Sequence, residues 1–543
     1  MLRKPARVPA LVALGLLLPG LGAQDRLAEE LRTQCAANGR AARSAWQHAH
    51  RYLHAWLAQA DERSGLIPSN LTRGKDLFEP HNAAADNWSF MVLVAALTDR
   101  ALYEGRMHEM LAAETRLTSR IDRLPDTYRF STQGFAHDTA EGAKVDMKRV
   151  IFAASEYVKD GLMPIHELLG GTAFTARMLG IQEDVWKHAA IDTPAGPIPA
   201  DDPEVTGEQL QVVSRLFWIT GEERWLEFGC RLGDFWLLGD RHPTRHGKVL
   251  RLRDHGCELI SGLSELYFAC AHARKDKAKL YREPLHALLD RILEVGVNEH
   301  GMMWNQIDPQ SGTVLQKGWS DGFGYVGDAF WTVAAVDGTE RHRELVLRQL
   351  ANLDAHYRGY AWEGTSADGY ADAIEGALNL FAREQDSAAV RSAAAWFDSE
   401  ILVMLGKQQE SGIVEGWHGD GNFARTALMY ALWKQQGCRT EPWRQDLALG
   451  AVRDAAALTL RLAVEEPWRG RIVFDAIRHR TVMHLPADYP RINQFPEWFT
   501  VEAEGRYRVT RGSEAQELDG LALLSGLELK IEDAVELRVE RLR

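Results

Sequence analysis

Six aspartates in this 543-residue chain stand where a turn opens into, or breaks, an apolar helical stretch: Asp86, Asp160, Asp254, Asp321, Asp368 and Asp420. Glycine follows Asp160, Asp321, Asp368 and Asp420 directly, and His255-Gly256 follows Asp254. Two such carboxyl groups in one pocket, one protonated and one ionised, are the equipment of general acid–base cleavage. An aspartate at a helix start also serves as an ordinary cap, because its carboxylate accepts free N–H groups of the first turn. Capping accounts for each aspartate singly but not for its neighbours. Trp88 follows Asp86; His255 follows Asp254; Trp319 and Tyr325 flank Asp321; Trp362 and Tyr370 flank Asp368; Trp417, His418, Asn422 and Arg425 surround Asp420. Among 17 tryptophans, those beside Gly and Asp in helix-opening turns are poorly explained by core packing. Their flat indole faces suit the apolar faces of sugar rings.

The elements that must position these residues follow from hydrophobic periodicity. Helices apolar all round alternate with helices carrying one apolar stripe, which places the first kind inside and the second outside. The inner candidates start near Asp86, Lys148, Glu204, Asp254, Asp321, Asp368 and Asp420, with a break expected at Asp160-Gly161. The outer candidates are Ala41 to Ala60, Ala101 to Ile121, Glu222 to Leu238, Leu280 to Val297, Arg341 to Tyr357, Ala388 to Leu405 and Pro442 to Val464. The starts at Asp321, Asp368 and Asp420 recur every 47 and 52 residues, the length of a helical hairpin repeat. A mainly α fold is expected, with six or seven hairpins closed into a ring whose inner helices present their N-termini at one mouth. From Glu465 the pattern turns to period two, as in Leu521 to Val539, and predicts a small antiparallel β domain with strands near Ile472, Thr481 to Leu485 and Phe499 to Ala503.

Arg3, Lys4 and Arg7 before the apolar run Val8 to Leu18, with Leu21-Gly22-Ala23 as a cleavage site, predict an export signal over residues 1–23 and a secreted or periplasmic protein. The toroid is then expected over 24–464 and the β domain over 465–543. The formal charge of −13 gives a surface that repels nucleic acid and anionic membrane, whose binding needs basic patches, and does not exclude an anionic sugar in a locally basic pocket. The five cysteines show no CxxC and no metal-ligand spacing, and Cys257 and Cys270 read as buried thiols. No cofactor or metal is expected, and the P-loop, dinucleotide, GxSxG and HExxH patterns do not occur.

In this alternation the chain resembles the six-hairpin α/α toroid proteins, a group rich in glycoside hydrolases and polysaccharide lyases. Lys159-Asp160-Gly161-Leu162-Met163-Pro164 is similar to the aspartate-bearing helix start of the unsaturated uronyl hydrolases. The resemblance implies an oligo- or polysaccharide substrate and, for a hydrolase, two of the six aspartates as acid and base. Carboxyl separations of about 5–5.5 Å give retention and of roughly 6.5–9.5 Å give inversion. A lyase would instead need His255, His418, Tyr325 or Tyr370 as base and Asn422 or Arg425 against a uronate. A glycan-binding protein without catalysis would keep the tryptophans alone.

Overall fold

The computed structural model describes residues 23–139, 142–143, 145–253, 255–454 and 457–542. The expected signal segment lies almost wholly outside the described residues. No described helix is long and apolar enough to cross a membrane.

The chain forms a closed α/α toroid. Among the described residues, seven inner helical segments pack side by side: Pro80–Trp88 continuing into Ser89–Thr98, the run from Met147–Glu156 to Met163–Leu169, Pro203–Thr220, Cys257–Ala273, Phe323–Asp337, Ala367–Glu384 and Asn422–Lys434. The last is tied to the first by the Gly421 N–H donating to Asp86 O at 2.7 Å, which closes the ring. Cys257 to Cys270 are buried at every position, as an inner helix requires. Striped helices form the outer layer, including Lys275–Val295 and Glu340–His356.

Neighbouring inner helices touch backbone to backbone. A Cβ built on Gly324 would lie 2.3 Å from Gly376 C and 2.6 Å from its Cα. Gly324→Ala is therefore expected to push two helices apart, costing about 1–3 kcal/mol by overpacking, seen as a lower melting temperature.

Two expectations about the ring need correction. The break at Asp160-Gly161 is absent: Tyr157–Leu162 forms a wider helical turn, with the Met163 N–H on Val158 O, and the helix stops only at Gly170. The outer helix expected over Pro442–Val464 is instead an antiparallel strand pair, Ala448–Asp454 and Ala457–Ala463. Leu458, Leu460 and Leu462 are buried in alternation, a period-two pattern masked by the alanines before it. The outer partner of Asn422–Lys434 comes from the other end of the chain. Helix Ala23–Leu57, which starts well before Ala41, packs there, and Trp46 Nε1 donates to Gln435 Oε1 at 3.1 Å.

The C-terminal region builds a five-stranded antiparallel sheet from Ala448–Asp454, Ala457–Ala463, Ala534–Arg541, Arg506–Arg511 and Glu514–Asp519, with a separate core. The expected strand at Thr481 to Leu485 is a helical turn, Arg478–Thr481, leading into a loop. That loop runs into the ring. Arg383, near the C-terminal end of its helix, donates to Asp488 Oδ2 at 2.7 Å and Tyr489 O at 2.9 Å. Further along, the Asn493 N–H reaches Glu375 Oε1 at 3.0 Å. The segment thus fills the toroid axis and brings Ile492 and Asn493 under the mouth.

Candidate active site

At the mouth the inner helices enclose a cavity of about 600 Å³. Seven carboxylates line it, Asp86, Glu156, Asp160, Glu258, Glu363, Asp368 and Asp372, against two permanent cations, Lys159 and Arg425. Both cations are already paired: Lys159 Nζ lies 2.7 Å from Asp160 Oδ1, and Arg425 donates to Asp372 Oδ1 at 2.8 Å.

Asp86 sits inside the helical run that begins at Pro80, so it is not a cap. Burial pushes its carboxyl up to about 7, His418 opposes the shift, and Asp160 and Asp372 add to it. His418 Nε2 stands 3.7 Å from Asp86 Oδ2. Asp160, one turn beyond Glu156, accepts from Lys159 and from the Asn493 side-chain amide. Arg425 in turn donates to Asn493 Oδ1 and, at 3.0 Å, to Asn422 Oδ1. Asn422 donates to Asp368 Oδ1 at 2.8 Å, and Tyr325 OH donates to Asp372 Oδ1 at 2.9 Å. Burial, reinforced by neighbouring carboxylates, raises Glu156, Glu208 and Asp368 well above the ordinary range.

Of the expected residues, Asp86, Asp160, Asp368, His255, Tyr325, Trp417, His418, Asn422 and Arg425 meet in this cavity. Others lie elsewhere. Asp321 and Asp420 are buried beside helix starts and accept from backbone, Gly322 N–H at 2.9 Å and Phe423 N–H at 3.3 Å. Burial pushes Asp420 up to about 6. Trp88 packs on Tyr157 and Phe174, and Trp362 on Phe323, Tyr360 and Trp396, both fully buried core. Trp319 lies tilted against Trp304, with ring centroids 4.2 Å apart, and Tyr370 OH donates to Tyr360 O at 2.9 Å. An indole in a core takes the same turn positions as one at a cavity rim, and sequence alone does not separate them. Asp254 lies outside the described residues.

Glu156, Lys159, Asp372 and Asn493 were not anticipated. The first three are charged residues inside helices read as apolar, Glu156 and Asp372 one turn from Asp160 and Asp368 and Lys159 next to Asp160, a signal that inward-facing positions carry chemistry. Asn493 gave no signal, because nothing local marks a loop that re-enters a distant ring.

Trp417 stands at the rim, 75% exposed, with the Arg73 guanidinium over its ring at 4.9 Å. Replacing it by alanine is expected to raise KM roughly tenfold with kcat unchanged, as loss of a platform that binds ground and transition states alike.

No family model and no curated protein matches the sequence. Solved structures similar to the chain include an inactive variant of the GH76A α-1,6-mannanase of Salegentibacter sp. HEL1_6 in complex with α-1,6-mannotetrose, at 10% identity and a TM-score of 0.40, covering 71% of this chain and 98% of that one. Cellobiose 2-epimerase from Bacillus thermoamylovorans B4167 is similar at 12% identity and a TM-score of 0.38, over 52% of this chain and 87% of that one. A GH127 β-arabinofuranosidase is similar at 9% identity and a TM-score of 0.38, over 95% and 78%.

Proposed function

We propose that the protein is an exported carbohydrate-active enzyme, a glycoside hydrolase that takes an uncharged oligosaccharide into the mouth of the toroid. The observation that carries this reading is the contrast between two carboxyl groups of one cavity. Asp86 is pushed up to about 7 and so holds a proton near neutrality, while Asp160 is fixed as an acceptor between Lys159 and Asn493. Asp86 O–H protonates the leaving glycosidic oxygen as that bond breaks. Asp160 takes a proton from the water that attacks the anomeric carbon, or bonds that carbon itself, and the anomer of the first product distinguishes the two.

The charge of the cavity favours hydrolysis over β-elimination. The acidic groups of the cavity outnumber its two cations, and Arg425, the cation suited to bind a uronate, is occupied by Asp372, Asn422 and Asn493. Incubation with neutral, amino and uronic oligosaccharides tests this. New reducing ends without ultraviolet absorbance support the proposal. A new C4–C5 double bond would make the protein a lyase, and binding without cleavage would make it a glycan-binding protein.

A further inference from the structure

One wall of the cavity gathers more donors than acid–base cleavage uses. Glu156, Glu204 and His255 present ligand atoms within 4.8 Å of one another, and Glu208 stands equally close to Glu156. Three separate elements supply them: the helical run from Met147 to Leu169, the first turns of Pro203–Thr220, and the loop before Cys257–Ala273. Glu204 and Glu208 are four residues apart and share one helix face. Glu208 is 1% exposed, and its Oε2 has no hydrogen-bond partner among the described residues. A buried carboxylate oxygen left unmatched is costly unless something fills the place. The neighbouring cation does not: Lys159 makes its ion pairs with Asp160 at 2.7 Å and Glu258 at 3.7 Å.

We infer that Glu156, Glu204 and His255, with Glu208 behind them, form a binding site for one divalent first-row metal ion in the cavity wall. His255 Nδ1 and Glu204 Oε1 are in direct contact, so an ion entering here takes the place of the proton between them, and donors about 2.0–2.2 Å from such an ion lie within roughly 4.4 Å of each other across it. Three carboxylates and one imidazole suit Mn2+ or Zn2+, and the set lacks the thiolates that select softer ions. Asp160 stands at the same spacing from Glu156 and Glu208, but Lys159 and Asn493 both hold its Oδ1 on the far side of the cluster from His255. The inference does not depend on the hydrolase reading, since binding is measured without substrate.

The test is calorimetric titration of the chelator-treated full chain with MnCl2 and with ZnCl2. One saturable equivalent per chain is expected, weakened by at least about tenfold in Glu156→Gln and in His255→Ala. His255 is a rim residue, so His255→Ala decides the matter if Glu156→Gln does not fold. The outer-layer group His286, Asp290 and His342 is the other place among the described residues where histidines meet a carboxylate at this spacing. His286→Ala is accordingly expected to leave the equivalent intact. No saturable binding of either ion, binding that survives His255→Ala, or loss of the equivalent in His286→Ala would each overturn the inference. Asp86→Asn should abolish hydrolysis while leaving this titration unchanged, which separates failure of the metal site from failure of the proposed reaction.

Discussion

Asp86→Asn is expected to lower kcat by at least about 10²-fold, with folding intact, because the amide keeps the shape of the carboxyl but has no proton to give. Its pH behaviour is the sharper check. In the wild type the rate should fall as pH rises through about 7, the value to which burial pushes Asp86, and that limb should vanish in the variant. The groups facing Asp86 across the cavity are His418, Lys159, Asp160, Asp372, Glu156 and Asp368. His418→Gln separates the contribution of this neighbour from that of Asp86. Stability moves with a definite sign. A carboxyl whose folded value exceeds its unfolded value of about 3.9 contributes stability below that pH and loses it as pH rises through the folded value. The variant should therefore melt higher than the wild type at about pH 8 and gain nothing near pH 4. A rate unchanged by Asp86→Asn across this range would remove Asp86 from the acid's role.

Arg215→Met is expected to be the most damaging change to the fold. Arg215 and Glu265 are each 1% exposed and joined by two hydrogen bonds, at 2.7 and 3.0 Å. Arg215 also stands 3.4 Å from Glu167 and from Ile492 O, and Tyr489 OH donates to Glu265 at 2.9 Å. Removing the guanidinium leaves two carboxylates buried without it and frees the segment that carries Asn493. The cost expected for breaking a buried pair from one side is about 3–5 kcal/mol, measured by urea denaturation. Arg215→Met combined with Glu265→Leu should recover a large part of it, because an apolar pair of similar volume needs no desolvation of charge. Equal losses in the single and double variants would mean that the pair itself, not the orphaned charge, supports the core.

The two variants probe different layers of the same arrangement. Asp86 acts at the mouth, where helix starts converge. Arg215 acts halfway down the axis, where the C-terminal segment is held. Asn493 joins the layers, since its backbone is tied to Glu375 below and its side chain to Asp160 and Arg425 above.

Local pattern determined much of this protein. Burial on every side of Cys257 to Cys270, against one stripe on the helices that follow, already separates inner from outer layers, because amphipathicity is written in residue spacing. The gathering of helix starts follows from that alternation, and with it the meeting of Asp368 and Asn422, whereas Asp86 and Asp160 reach the cavity from inside their helices. Sequence did not decide which turn aspartates face the cavity: Asp368 and Asp420 stand in similar turns, yet one lines the cavity and the other is buried beside its helix start. It did not reveal that the ring is completed by Ala23–Leu57 or that Ile492 and Asn493 floor the pocket. Those contacts join residues hundreds of positions apart, and no periodicity records them. They exist only once the packed helices leave an axis to be filled and a gap to be closed.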